Sequence, residues 1–460
     1  MLFALMLALA APADWVPARW NWTDPASLDL LQGTPVNCLL LKWDAGQAQA
    51  IAVFAGRAAE RRVATLAVID PKGDPADTAR QALRAKVTGI VLEGDFPAGV
   101  ADRVRDGLAD SKAIVIELTS RSRMKLGGSA PILATYQGVW PGIQVMDDGH
   151  AKAGPSGSAW IDTNTGFIRA ARAWGDTPLW LGNLPPPKTV ITGDRYLQAI
   201  CDAAMAGARW IVALDDDFAR RLKDKDPAAT KQWQRMGRHL QYYEDHKEWR
   251  ALKPGGKFAL IQDENAGALL SGGILDMIAV KHTPVRPVPR QKLNIAAFQG
   301  VSMAVNVDGE SLTPEEKEVL RSFARSGGTL LTGPPGWKGK SPANADQITL
   351  EKEETERLDT IWKEVNSMIG RRNLGARLFN VSTMLSDLVS TGDGKQVIVQ
   401  LVNYADYPVE SIAVHVLGEF KHARLYTPED GERALEVYKN EEGTGVDIDK
   451  VSICATLRLD

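Results

Sequence analysis

The chain has 460 residues, too long for one ordinary domain, so two or three are expected. A net charge of −3 gives no basic footprint for nucleic acid and no polybasic membrane signal. Thirteen Trp stand against ten Phe and eight Tyr in an ordinary 44% hydrophobic composition. Trp offers a flat apolar face with one N–H donor, which suits core packing and also stacking on the apolar face of a sugar ring.

Residues Met1 to Ala11 are apolar throughout, and small residues follow near Ala11 and Ala13. This reads as the apolar part of a secretory signal over residues 1–13, without the usual basic start. The expectation is a secreted or periplasmic protein, with a cytoplasmic one the alternative. No later segment approaches the roughly 20 apolar residues of a membrane span. Cys38, Cys201 and Cys454 are scattered and odd in number, with no His at ligand spacing. They read as buried thiols, and neither a metal site nor a cofactor is expected.

From Trp20 onwards short β-branched runs alternate with helical patterns, the signature of parallel βα units. Strands are expected at Val36–Trp43, Ala64–Ile69, Gly89–Leu92, Ala113–Leu118, Ile132–Tyr136 or Gly142–Val145, Ala159–Ile161, Leu179–Leu181 and Trp210–Leu214. Helices fit at Gln47–Arg62, Pro75–Lys86, Gly166–Trp174 and Arg195–Gly207. Eight strands within residues 14–253 imply a TIM-type (β/α)8 barrel with its site at the C-terminal strand ends. A doubly wound open sheet is the alternative, and no G-x-G-x-x-G follows an early strand to favour it.

The residues that follow the expected strands are rich in carboxylates, amides and aromatics. They include Trp43, Glu93, Asp95, Glu117, Tyr136, Trp140, Asp162, Asn164, Asn183, Asp215 and Asp216, with Trp160 and Trp180 inside strands. Such a rim suits carbohydrate, and glycoside hydrolysis needs two carboxyl groups, about 5–5.5 Å apart for retention or about 6.5–9.5 Å for inversion. Glu117 lies inside the apolar run I-V-I-E-L, where desolvation would raise its pKa as a general acid requires. The competing reading pairs Glu117 with a neighbouring Arg such as Arg121 or Arg123. For Glu93, Asp95, Asp162 and Asp215 it is a helix N-cap or a loop salt bridge.

Pro185–Pro187 follow the seventh expected strand, and a charged helical stretch runs from Phe218 to Lys253. Pro254-Gly255-Gly256 marks a boundary. Residues 254–370 then read as a flavodoxin-like α/β domain, with strands from Phe258, Asn294 and Val301 and a helix beginning at Thr313-Pro314-Glu315-Glu316. Residues 371–460 alternate in the manner of half-buried strands and read as a small all-β sandwich.

Two stretches carry a resemblance. I-Q-D-E-N-A-G-A-L-L-S-G-G-I-L-D at 261–276 and L-T-P-E-E-K-E-V-L-R-S-F-A-R-S-G-G-T-L-L at 312–331 resemble the class I glutamine-amidotransferase-like domain that follows the barrel in β-galactosidases of glycoside hydrolase family 42. L-V-N-Y-A-D-Y-P at 401–408 and the closing strand resemble the sandwich of the same enzymes. The resemblance implies a non-catalytic middle domain serving trimer assembly. Residues 255–340 hold no Cys and only His282, so glutaminase chemistry is excluded. It also implies an acid/base Glu after strand four and a nucleophile Glu after strand seven. Glu117 takes the first place by strand count, whereas Asn183 stands in the second.

The expectation is therefore a glycosidase acting through Glu117 with Asp162 or Glu93, and binding sugar through Trp43, Asp95, Tyr136, Trp140, Trp160, Asn164, Trp180, Asn183, Asp215 and Asp216. The alternative is a catalytically silent carbohydrate-binding protein of the same architecture.

Overall fold

The computed structural model describes residues 10–140, 143–145, 150–153, 164–262, 282–306, 312–332, 352–370, 375–381 and 383–460. Eight parallel strands form the first sheet: β1 (Pro17–Arg19), β2 (Cys38–Lys42), β3 (Ala64–Ile69), β4 (Gly89–Glu93), β5 (Ile114–Thr119), β6 (Leu133–Thr135), β7 (Leu179–Leu181) and β8 (Arg209–Trp210). Past β8, Val212 pairs with Ala18, and the Arg19 amide donates to the Val212 carbonyl at 2.7 Å, so the sheet returns to β1 as a barrel.

The strands read as continuous apolar runs because both faces are buried. Cys38, Leu40, Leu66, Val68, Val91, Ile116, Leu118, Ala134, Trp180 and Ile211 fill the interior, and Trp15 packs with them. Leu39, Leu41, Ile69, Leu92, Val115 and Leu181 face outward against helices. At Gly89 a Cβ would meet the Ile114 carbonyl oxygen at 2.5 Å, so β4 and β5 pair closely only because that residue has no side chain.

The helices around the barrel are α1 (Ala48–Glu60), α2 (Pro75–Arg84), α3 (Val100–Gly107), α4 (Thr165–Trp174), α5 (Gly193–Met205), α6 (Asp216–Lys223) and α7 (Pro227–Asp245). Asp74, Asp215 and Asp226 cap α2, α6 and α7 with side-chain acceptors, and Pro75 and Pro227 supply preset first-turn geometry.

The barrel is the one expected, but its strands are counted differently. Pro17–Arg19 precedes the expected first strand: Pro at a strand's first residue costs no ladder bond. The runs from Val36 to Leu118 are therefore strands two to five. The fifth expected strand resolves to Leu133–Thr135, which pairs directly with Leu179–Leu181; the sixth expected strand, at 159–161, lies outside the described residues. Ile143–Val145 belongs instead to a small separate sheet with His150–Ala153 and Val190–Ile191.

A second sheet is also parallel, in the spatial order β10 (Arg286–Pro289), β9 (Phe258–Gln262), β11 (Met303–Asn306) and β12 (Thr329–Thr332). Helix α8 (Pro314–Arg325) joins the last two and begins with a capping box between Thr313 and Glu316. A further helix, α9 (Lys352–Ile369), leads to the C-terminal strands.

Two antiparallel sheets follow: β13 (Ala376–Phe379), β16 (Val409–Leu417), β20 (Gly443–Val451) and β19 (Tyr438–Asn440) in one; Lys253–Pro254, β14 (Met384–Ser390), β15 (Val397–Asn403), β21 (Cys454–Leu459), β17 (Ala423–Thr427) and β18 (Gly431–Leu435) in the other. An apolar cluster including Val399, Leu401, Ile412, Val414, Val446 and Leu457 fills the space between them.

The outer face of the larger sheet lies on the barrel. The Tyr404 hydroxyl donates to Asp202 at 2.7 Å, Gln198 to the Asn403 carbonyl at 3.0 Å, and Gln400 to the Met205 carbonyl at 2.9 Å. Helix α5 is consequently buried nearly all round, which is why Arg195, Gln198 and Asp202 occur in it as hydrogen-bonded core residues.

Candidate functional site

Strand parity decides which side chains reach the C-terminal mouth of the barrel. On β4 Gly89, Val91 and Glu93 turn inward, and on β1 Arg19 shares the inward face with Pro17. The two charges meet across the mouth. Arg19 Nη1 donates to Glu93 Oε2 at 3.1 Å, and Nη2 donates to Oε1 in a second, shorter contact. Both side chains are largely buried, and Arg19 Nε has no hydrogen-bond partner among the described residues. A planar guanidinium in bidentate contact fixes the orientation of that carboxylate.

Two residues further on, Asp95 accepts from the Ser120 amide at 3.0 Å and the Ser120 hydroxyl at 2.9 Å, tying the loop after β4 to the loop after β5. Arg123 Nε stands 3.6 Å from the same carboxylate. Next along the rim, the Arg121 amide donates to Gln137 Oε1 at 2.7 Å. Tyr136 is half-buried over the interior cluster, Trp43 is half-buried at the end of β2, and Asn183 is half-buried just past β7.

Other expected site residues lie away from this opening. Glu117 is on β5 between the inward Ile116 and Leu118, so it projects outward, where Arg105 of α3 pairs with it. That is the ion-pair reading, but the partner is Arg105 of α3 rather than the neighbouring Arg121 or Arg123. Trp180 is an interior barrel residue at 1% exposure. Trp140 is buried behind the barrel wall, edge-on to Tyr196 and Trp210 at centroid distances of 5.4 and 5.1 Å.

Asn164 is fully buried. Its Oδ1 accepts from the Val139 amide at 2.7 Å, and its Nδ2 donates to Asp202 at 2.7 Å. Asp215 is the cap of α6, accepting from the Phe218 amide at 2.9 Å, the Ile191 amide at 3.1 Å and the Tyr196 hydroxyl at 2.8 Å. Burial and the Asp215 charge hold the Tyr196 phenol far above its ordinary range. Asp216 is exposed in the first turn of α6. Trp160 and Asp162 lie outside the described residues.

The structure thus brings together Glu93, Asp95, Tyr136 and Asn183 at or near the mouth, and adds Arg19 and Ser120. Arg19 was hidden because the three-residue strand P-A-R carries no apolar period.

A separate cavity of about 290 Å3 opens at the opposite, N-terminal side of the barrel, where α4, α7 and the larger C-terminal sheet converge around Arg172, Trp249 and Arg250. Arg172 there donates to the Gly207 carbonyl at 3.0 Å and to that of Arg250, and burial lowers its pKa.

No family model matches the chain, and neither does any curated protein. Solved structures do. The α-L-fucosidase isoenzyme 2 from Paenibacillus thiaminolyticus superposes with a TM-score of 0.63 at 10% identity, covering 99% of this chain and 98% of that one. A β-galactosidase from Rahnella sp. R3 superposes with a TM-score of 0.54 at 8% identity, covering 97% and 98%. At such identities the likeness is one of fold.

Proposed function

We propose that the chain is a glycosidase working at the C-terminal mouth of its barrel, with Glu93 as one of the two carboxylates. The observation that carries the reading is the placement of Glu93 at the end of β4, turned inward and held by Arg19 from β1. The resemblance to family 42 asks for a carboxylate after strand four, and on the structural strand order that residue is Glu93 rather than Glu117. The fold shared along the whole chain with a fucosidase and a β-galactosidase supports the same reading.

In bidentate contact with a guanidinium, Glu93 is held in a fixed orientation at the place where the resemblance asks for the acid/base Glu. Asp162, in the connection between β6 and α4, is the residue assigned as the second carboxyl group. Trp43 and Tyr136 supply aromatic surface at the rim, and Asn183 supplies amide hydrogen bonding to sugar hydroxyls. The middle domain and the sandwich are non-catalytic, and a homo-oligomer, a trimer by the family resemblance, is the assembly expected.

A second reading, sugar binding without turnover, is favoured by Asn183 at the end of β7, where the resemblance asks for a nucleophile Glu, and by the engagement of Glu93 with Arg19. One experiment separates the two: hydrolysis of a panel of aryl glycosides, beginning with α-L-fucosides and β-D-galactosides, alongside Trp fluorescence titrations with the free sugars. Turnover that falls about 10²–10⁴-fold in Glu93→Gln and is unchanged in Glu117→Gln supports the glycosidase. Turnover that survives Glu93→Gln refutes the assignment. Quenching without turnover establishes the second reading, and neither response to any sugar sinks both.

A further inference from the structure

The three cysteines were expected to be unrelated, yet the fold brings two of them together with a histidine. Cys201 on α5, His239 on α7 and Cys454 on β21 converge at the seam between barrel and sandwich, and one ligand atom of each lies within 4.8 Å of the others. Cys201 and His239 are wholly buried, and Cys454 is 1% exposed.

The imidazole is oriented as a ligand. Its Nδ1 lies 2.9 Å from the Arg235 carbonyl oxygen, one turn back on α7, so the ring proton sits there and Nε2 keeps its lone pair. Nε2 has no hydrogen-bond partner among the described residues. The charged group facing it is Glu429, whose Oε1 is 3.5 Å away and also accepts from Arg235 Nη2 at 3.1 Å. A buried imidazole lone pair thus faces two sulfurs with no hydrogen bond made to it among the described residues. Buried lone pairs left in that arrangement cost free energy, and a cation at their centre removes the cost.

We propose that Cys201, His239 and Cys454 bind one Zn(II) ion that ties the sandwich to the barrel. Two thiolates and a neutral imidazole are soft-to-borderline donors suited to zinc. Bonds of about 2.3 Å to sulfur and 2.0 Å to nitrogen need the three side chains to close by no more than about an ångström. The charge balance selects the metal. Each thiol releases its proton on binding, so Zn(II) with two thiolates is neutral, whereas Cu(I) with the same pair leaves a net negative charge in a buried seam.

The test is native mass spectrometry of the full chain, stripped with chelator under reducing conditions and then given Zn(II) alone, Co(II) alone or Cu(I) alone. The expected result is one zinc per chain with a mass gain of one zinc less two protons. Co(II) should produce the near-ultraviolet thiolate charge-transfer band, and stoichiometric binding should be lost in Cys454→Ser and His239→Gln but kept in His246→Gln. Zinc should also raise the denaturation midpoint of wild type, a readout that needs no variant to fold. Failure of the stripped wild type to take up zinc, a preference for Cu(I) over Zn(II), or a Cys201–Cys454 disulfide in the native protein would each overturn the proposal.

Discussion

The buried carboxylate of Asp202 offers the sharpest test of how barrel and sandwich are joined. It accepts from the Asn164 amide at 3.0 Å, Asn164 Nδ2 at 2.7 Å, the Thr165 hydroxyl at 2.8 Å and the Tyr404 hydroxyl at 2.7 Å. All four residues are fully buried. Tyr404→Phe removes one donor to a charged acceptor, an interaction that contributes about 1.5–3 kcal/mol. Asp202→Ala leaves the Asn164 amide without an acceptor and opens a cavity, so about 3–5 kcal/mol is expected. Once Asp202 is gone its hydrogen bond from the Tyr404 hydroxyl is gone too, so Tyr404→Phe should then no longer carry the cost of that bond.

The double-mutant cycle should therefore show coupling of about 1.5–3 kcal/mol, read from denaturant unfolding followed by both Trp fluorescence and circular dichroism, because a chain of this size need not unfold in one step. Additivity within about 0.5 kcal/mol would refute the reasoning. The pH dependence adds a second check. Burial raises the Asp202 pKa despite its four donors, so the folded state holds this proton more tightly than the unfolded chain. Its contribution to stability therefore falls as pH rises from the ordinary carboxylate value through the raised one, and Asp202→Asn should abolish that slope.

Two further expectations concern neighbouring groups. Arg169 of α4 and Asp387 of β14 form a pair at 2.7 Å with side chains 6% and 9% exposed. Asp387→Asn should cost about 3–5 kcal/mol by stranding a buried guanidinium, and Arg169→Met with Asp387→Leu should recover most of it; a double variant as unstable as the single one would count against this account. Desolvation pulls the His282 imidazole, 2.9 Å from the Ser386 hydroxyl, down to about 4 from an ordinary 6.5. Its stabilising contribution is complete above pH 6.5 and is lost as pH falls towards 4. His282→Asn, which tolerates the positive φ of 57° there, should flatten acid destabilisation in that window, and an unchanged profile would discard the assignment.

Much of the architecture was legible because parallel strands buried on both faces must be apolar throughout. The runs C-L-L-L at Cys38 and A-T-L-A-V-I at Ala64 have no other stable reading at that length. Helix starts were equally plain wherever an Asp or Thr stands before a Pro, as at Asp74-Pro75 and Thr313-Pro314. The same property hides the site. When both faces of a strand are apolar, the period of two does not tell inside from outside, so I-V-I-E-L could not say that Glu117 points to α3. Only pairing does: Leu92 lies opposite Glu117, which puts Glu93 on the inward face. Which carboxylate follows strand four also depended on the strand count, and the missing strand was the one whose three residues include a Pro and an Arg. Cys201, His239 and Cys454 come from three distant segments, and proximity set by tertiary packing leaves no local trace.

The polar residues of α4, α5 and α7 share a further logic. Arg169, Arg195, Gln198, Asp202 and Tyr242 would be anomalous on barrel helices whose outer faces met water through long apolar neighbours. Each instead meets a group of the sandwich: Asp387, Asp406, the Asn403 carbonyl, Tyr404 and Thr456. With the Cys201, His239 and Cys454 cluster on the same seam, the last strands of the chain complete the packing of helices that precede and follow β7. Substitutions along β15 and β21 should therefore be felt at the barrel mouth through α5, which lies between β7 and β8, and sandwich stability and site geometry become parts of one cooperative core.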